Sequence, residues 1–320
     1  MFIARSYAEH FAGMQDEVFN SIKLVQESLT VLYYKVLGKI LYMIIIGASG
    51  YIGKSLYDYA NRYGNNYGTS SNGGNGLLPL RLDKFEEFNY EIVQAGDVIL
   101  FTAAISSPDI CVKEYNRAWS VNVTGTSGFI SRVLSRGGKV IFFSSDTVYG
   151  EKTDDFDESS VCAPAGPYAE MKHEIENRFS GNPLFKILRL SYVFSRGDKF
   201  TKYLASCSEN NEEAEIFDPF FRAVIHRDDV IAGAVALGRR WNEFPQSVLN
   251  FGGPEVLSRT EFARILKEVR LHSLKYRIVE PATEFFKSRP KIIRMASPVL
   301  SELLDRPGHT LHEAAIIEFK

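Results

Sequence analysis

The chain has 320 residues, of which 45% are hydrophobic and 24% charged, with 37 lysines and arginines against 39 aspartates and glutamates. That length buries a large core, and the apolar share is too high for a disordered chain. A formal net charge of −2 offers no basic footprint for nucleic acid and no acidic tail.

Cys111, Cys162 and Cys207 are scattered, odd in number and without Cys-x-x-Cys spacing. They point to reduced cytoplasmic thiols, with neither a disulfide framework nor a metal site. The N-terminus lacks the pattern of a secretory signal, and the apolar run from Val31 to Ile46 is broken by Lys35 and Lys39, so no membrane span is expected.

In chain order, residues 1–42 come first, with Phe11, Met14, Val18, Ile22, Val25, Leu29, Leu32 and Val36 at steps of three and four. This amphipathic helical pattern is either an added arm that packs on the core or a partner, or sequence upstream of a translation start at Met43. From Met43, "MIIIG" is followed by the helical "GKSLYDYANRY", then by "YGTSS", "GLLPLRL" and "DKFEEFNYEIVQ". "DVILFTAA", a long helical region from Pro108 to Ser135, "KVIFFSS", a helix around "PYAEMKHEIENRF" and "FKILRLSYVF" come next. Strands apolar on both faces and separated by helices predict a doubly wound α/β fold with a parallel, Rossmann-type sheet. Beyond Phe194 the alternation loosens, then returns with a helix at "DDVIAGAVALGRR", a strand at "SVLNFGG", a helix at "LSRTEFARILKEV", a short strand "YRIV" and a helix near "SPVLSELL". A nucleotide-binding domain is expected over 43–189 and 228–252, with a smaller C-terminal lobe from 190–227 and 253–320. The Pro108–Ser135 region is read as covering the sheet; its other use is to face a second copy in a homodimer.

Gly47, Gly50 and Gly53 lie directly after the first strand and before an amphipathic helix. Without Cβ atoms, such a loop lets the backbone approach a pyrophosphate held at the helix N-terminus, which predicts dinucleotide binding. At the end of the second strand an acid would accept hydrogen bonds from the adenosine ribose. Here the sequence is "GTSSN", where Thr69, Ser70 and Ser71 can donate to a phosphate. NADP is therefore favoured over NAD.

Tyr168 and Lys172 are four residues apart in "PYAEMK", on one face of a helix. Ser145 follows "KVIFF" at the C-terminal end of a strand, where parallel sheets bind ligands. A phenol near pKa 10 carries protons poorly at neutral pH, so the nearby ammonium of Lys172 and a bound cationic nicotinamide are expected together to favour the phenolate. Ser145 would hydrogen-bond a reacting carbonyl oxygen.

With these residues in place, the chain from Met43 to about Leu304 resembles the extended short-chain dehydrogenases/reductases of the NAD-dependent epimerase/dehydratase group, which act on nucleotide-activated sugars. The matching stretches are "GASGYIG", "DVILFTAA", "VNVTGT", "FFSSDTVYG", "PYAEMK", "LRLSYVF", "FRAVIHRDDV" and "NFGGPEVLSRTEFARIL". The resemblance implies that Ser145, Tyr168 and Lys172 are catalytic, and that Gly47, Ser49, Gly50, Tyr51, Ile52 and Gly53 hold the pyrophosphate. It implies Asp83 near the adenine, Thr102, Ala103 and Ala104 beside the cofactor, and Asn122 as the asparagine of the "VN" helix, with Tyr168 and Lys172 also touching the cofactor. Arg222 is implied on the nucleotide-sugar phosphates, with Arg289 as a second such arginine. Asp228 and Asp229 are read as ordinary helix caps.

Sugar 4,6-dehydratases of the group carry Asp–Glu after the catalytic hydroxyl residue. The pair here is Asp146–Thr147, which argues against a dehydratase. "SSDTVYG", the short core and "RPK" look most like the dTDP-4-dehydrorhamnose reductase branch, although that branch usually has an aromatic residue where Thr147 stands. The expectation is an NAD(P)H-dependent reductase of a nucleotide-linked keto-sugar, a cytoplasmic oxidoreductase of polysaccharide biosynthesis. Its rivals are an epimerase that retains NAD and a regulatory subunit without catalysis.

Overall fold

The computed structural model describes residues 42–320 apart from Asn65 and Thr153. The amphipathic pattern expected before Met43 lies outside the described residues.

Seven strands form one parallel sheet: β1 (Met43–Ile46), β2 (Tyr67–Ser70), β3 (Leu78–Pro79), β4 (Val98–Phe101), β5 (Lys139–Ser145), β6 (Phe185–Leu190) and, later in the chain, β10 (Val248–Phe251). Their spatial order is β10-β6-β5-β4-β1-β2-β3. Alternate residues sort onto two cores. Met43, Ile45, Val98, Leu100, Ile141, Phe143, Leu188 and Leu249 face one side, where α1 (Tyr51–Ala60) and a later helix pack. Ile44, Ile46, Ile99, Phe101, Val140, Phe142 and Ile187 face the other. Burial on both faces is why these strands read as unbroken apolar runs.

The region expected as one long helix is broken into α2 (Pro108–Lys113), α3 (Tyr115–Trp119), a π-helical turn at Ser120–Gly125 and α4 (Thr126–Ser135). Glu114 leaves helical geometry with φ −119° and ψ 47°. At Gly125 a Cβ would stand 1.9 Å from the Leu82 carbonyl oxygen, and at Gly128 one would stand 2.2 Å from the Phe85 ring. The stretch "DKFEEFNYEIVQ" is pressed onto those two glycines and folds as short 3-10 turns, Leu82–Glu87 and Tyr90–Ile92. The buried Phe129, Ile130 and Val133 of α4 face the sheet, while Ile110, Val112 and Tyr115 of α2 and α3 are exposed.

After α5 (Pro167–Phe179), "FKILRLSYVF" splits into β6 and β7 (Val193–Phe194), because β7 leaves the main sheet. The chain continues through α6 (Lys199–Glu209), β8 (Glu213–Phe217), β9 (Phe221–His226) and α7 (Arg227–Arg239), then β10, β11 (Glu255–Ser258), α8 (Arg259–Val269) and β12 (Lys275–Val279). It ends with α9 (Thr283–Phe286), β13 (Ile292–Ile293), α10 (Leu300–Leu304) and α11 (Leu311–Glu318). β9 pairs with β7 and β13 in parallel and with β11 antiparallel, and β8 pairs with β12. A further core of Phe194, Leu204, Ile216, Phe262 and Leu266 lies beneath these strands. Among the described residues, no helix is long and apolar enough to cross a membrane.

Asp228 and Asp229 lie in the first turn of α7 but do not cap it; the N-cap is His226, with no side-chain cap. Asp229 is fully buried, and its carboxylate accepts hydrogen bonds from Arg306 Nη2 at 2.5 Å, His309 N at 2.8 Å and His309 Nδ1 at 2.8 Å. It ties the C-terminal segment to α7, a use that depends on residues 77 and 80 positions away and so is invisible in the local pattern.

Candidate active site

A cleft of about 730 Å³ opens at the C-terminal ends of β1, β2, β4 and β5. It lies where the strand order reverses beside β1, the place at which doubly wound sheets bind ligands. Of the residues singled out in the sequence, Gly47, Ser49, Gly50, Tyr51, Ile52, Gly53, Asp83, Thr102, Ala103, Ala104, Tyr168 and Lys172 line it. Asn122, Ser145, Arg222 and Arg289 are not among its lining residues.

The glycine loop is tight. Gly47 has φ +89°, and a Cβ at Gly53 would stand 2.1 Å from the Gly47 carbonyl oxygen. Gly50 is the N-cap of α1, with no side-chain cap and no acid in the first turn. The first N–H groups of a ten-residue helix therefore face the cleft without a protein anion. That is the cradle a pyrophosphate needs, so the residues fit a dinucleotide. Two threonines brace the loop from behind: Gly47 N donates to Thr69 Oγ1 at 3.2 Å, and Thr102 Oγ1 donates to the Ile46 carbonyl at 2.8 Å. Asn122 holds the segment after β4 that also lines the cleft, accepting from Ile105 N at 2.8 Å and donating to Ile105 O at 3.0 Å.

At the other end of the cleft, Ser70, Ser71 and Asn72 are joined by Arg81. The local reading of "GTSSN" missed this arginine because it arrives from the chain after β3. It is paired with Asp83 at 2.6 Å and remains largely exposed.

Tyr168 and Lys172 share one face of α5, with the Lys172 ammonium 5.9 Å from the Tyr168 ring centroid. In this arrangement the ammonium is turned to the main chain. Lys172 Nζ donates to the Phe143 carbonyl at 2.6 Å and lies 4.5 Å from the centroid of the Phe142 ring, and burial lowers its pKa to about 8. A buried ammonium must find an acceptor, and the end of β5 supplies one. Burial, with smaller contributions from Cys111 and Asp146, pushes the Tyr168 phenol above its ordinary value. Tyr168 is therefore held as a neutral acid, able to give a proton and poorly able to shed it unaided.

Ser145 ends β5 beside the cleft. Its hydroxyl donates to Asp146 Oδ1 at 3.2 Å and accepts from Thr147 Oγ1 at 2.9 Å and Thr147 N at 3.3 Å. Thr147, which departed from the expected patterns, thus orients the serine. Asp146 is buried, which raises its pKa, while Arg222 and the hydroxyls of Ser191 and Ser145 oppose that rise. Arg222 Nε lies 3.6 Å from Asp146 Oδ2. The other Arg222 nitrogens donate to the carbonyls of Phe221 at 2.6 Å, Lys291 at 3.3 Å and Pro290 at 2.7 Å. Burial lowers the Arg222 pKa to about 10. Arg289 donates to Asp109 Oδ2 at 2.7 Å at the start of α2 and lies 4.8 Å from the Phe285 ring centroid. Its neighbour Ser288 packs where a Cβ of Gly166 would stand, just before α5.

Residues 41–303 match the family model described as the RmlD substrate binding domain. Among curated proteins, a dTDP-4-dehydrorhamnose reductase from Aggregatibacter actinomycetemcomitans is 26% identical over 179 residues, which is 53% of this chain and 58% of that protein's length. Among solved structures, the dTDP-4-dehydrorhamnose reductase of Bacillus anthracis in complex with NADP superposes with a TM-score of 0.74 at 21% identity, covering 88% of this chain and 99% of the other. The UDP-glucuronic acid 4-epimerase of Bacillus cereus, as a Y149F mutant with NAD, superposes with a TM-score of 0.73 at 21% identity over 87% and 98%. These superpositions show the Rossmann-like α/β fold.

Proposed function

The chain belongs to the RmlD substrate-binding domain family, and from that membership and the geometry of the cleft we propose that it is an NADPH-dependent reductase of a nucleotide-linked keto-sugar. The observation that carries this reading is one cleft that holds both an uncapped glycine-loop helix and the Tyr168–Lys172 pair. A curated relative named as a dTDP-4-dehydrorhamnose reductase points to the same class of reaction.

The pyrophosphate would rest on the backbone of Gly47 to Gly53, with the adenosine end near Asp83. Arg81, beside Ser70 and Ser71, supports NADP over NAD, since a guanidinium can fork onto a 2′-phosphate. The nicotinamide, when bound, supplies the hydride that reduces a ketone carbon. Tyr168 gives its phenolic proton to the oxygen that becomes the alcohol, and its raised pKa keeps that proton available at neutral pH. Ser145, oriented by Thr147 and Asp146, turns its hydroxyl to the carbonyl oxygen. Lys172, anchored on Phe143, keeps a positive charge under the tyrosine; that charge offsets the phenolate left behind until the proton is replaced.

Three free thiols, Cys111, Cys162 and Cys207, suit a reducing cytoplasm. The exposed Ile110, Val112 and Tyr115 are the face this reading offers to a second copy. The experiment is to supply the full chain with a panel of 4-keto and 4-hydroxy nucleotide sugars and either NADPH or NADH, following absorbance and product. One NADPH oxidised per alcohol formed supports the reductase. Interconversion of two 4-hydroxy sugars with no net NADPH use would replace it with the epimerase.

A further inference from the structure

Arg222 was the arginine expected to meet the nucleotide-sugar phosphates, yet its nitrogens are committed to the Phe221, Pro290 and Lys291 carbonyls and to Asp146. A second guanidinium shares its aromatic support. Arg222 and Arg259 both lie over the Phe220 ring, 4.2 and 5.0 Å from its centroid, and Arg259 also lies 4.0 Å from the Phe200 centroid and 5.4 Å from that of Tyr192.

Arg259 is hydrogen-bonded to no acid among the described residues. Among the described residues no carboxylate or carbonyl accepts a hydrogen bond from its guanidinium. The nearest charged candidate, Asp198, is saturated: its oxygens accept from Tyr192 Oη at 2.6 Å, Phe200 N at 2.9 Å, Thr201 N at 3.0 Å and Thr201 Oγ1 at 2.6 Å. Glu261 is likewise taken, since it closes the capping box with Ser258. Arg259 is moreover the first residue of α8, where the helix dipole disfavours a cation. Arg289 and Arg222 are close enough to add repulsion, but each has a partner, Asp109 and Asp146 respectively. A guanidinium that donates to no acid, favoured only at a distance by the charge of Asp198 and set at the wrong end of a helix, breaks a local rule with little internal gain, which is where a ligand is expected.

We propose that Arg259 is a diphosphate ligand of the nucleotide-sugar substrate, presented edge-on from the Phe200–Phe220–Tyr192 aromatic cage beside Arg222. The assignment rests on the nucleotide-sugar reading given above. Flat packing against rings leaves the in-plane N–H groups of a guanidinium free to fork onto two phosphate oxygens. Arg222 stands between the two regions, sharing the Phe220 ring with Arg259 and contacting Asp146, the neighbour of Ser145. Arg222 then acts as a positioning residue, holding the 290–291 segment and Asp146 in place.

The test is calorimetric titration of the full chain, its Arg259→Gln variant and its Arg259→Lys variant with thymidine diphosphate, uridine diphosphate, the matching nucleosides and NADPH. Arg259→Gln should weaken the preferred diphosphate about 10- to 100-fold, with Arg259→Lys between it and the parent. Nucleoside and NADPH affinities should stay within about twofold, which also reports that the variants are folded. Diphosphate binding by Arg259→Gln as tight as that of the parent chain would overturn the assignment alone. A parent chain that binds neither diphosphate would overturn the nucleotide-sugar reading and the assignment with it.

Discussion

Lys172 is a buried ammonium that donates a hydrogen bond to the Phe143 carbonyl and lies beside the Tyr168 ring. Burial lowers its pKa from the usual 10.5 to about 8. Between those values the unfolded chain still holds the proton that the folded chain has shed, so raising the pH through this window favours the fold. The parent chain should therefore gain up to about 3 kcal/mol over Lys172→Met between pH 7 and pH 11, read from urea midpoints at the two values. A gain of opposite sign would mean that an acid, and not burial, governs this lysine. Arg81 is tested through selectivity. Arg81→Ala should cut the preference for NADPH over NADH about 10-fold or more in kcat/KM, and an unchanged ratio would remove the arginine from the 2′-phosphate. The sequence made Tyr168 and Lys172 legible through their four-residue spacing. It could not show that Arg222 is spent on the protein, because the accepting carbonyls of Pro290 and Lys291 lie 68 and 69 positions away.

The turn between β1 and α1 is the element that fixes the cofactor end of the cleft. Gly53 packs so closely on the Gly47 carbonyl that even a methyl group cannot enter without moving the loop. Gly53→Ala should weaken NADPH binding at least about 10-fold and cost roughly 1–3 kcal/mol of stability, both measurable on one preparation by titration and denaturation. Retained affinity would mean that the pyrophosphate does not lie on this loop. Strands β1, β4, β5 and β6 could be read from sequence because burial on both faces writes itself as an apolar run. The 3-10 turns at Leu82–Glu87 and Tyr90–Ile92 could not, since their shape comes from the approach of Leu82 and Phe85 to Gly125 and Gly128, some forty residues downstream. The π turn ends at Gly125, which is pressed on the same Leu82 carbonyl. Thr147 is a different case. It was legible as a departure from the relatives' pattern, but its use as a donor to Ser145 needed the geometry of the turn after β5.

Across the whole molecule, the two ends of the proposed reaction come from different parts of the chain. The glycine loop and Ser145 lie at the ends of main-sheet strands with Tyr168 and Lys172 on α5, while Arg222 comes from β9, Arg259 from the start of α8 and Arg289 from the segment after α9. Asp146 joins them, touching Ser145 on one side and Arg222 on the other, so a single buried carboxylate couples the reacting end to the arginine cluster. The central claim is that Tyr168 gives the proton in a reduction that consumes NADPH. The most direct measurement is single-turnover oxidation of NADPH by a 4-keto nucleotide sugar, comparing the parent chain with Tyr168→Phe at equal cofactor occupancy. The expected result is one NADPH oxidised per active site by the parent chain and a slowing of about 10²- to 10⁴-fold in the variant. A variant that oxidises NADPH at the parent rate would contradict the claim.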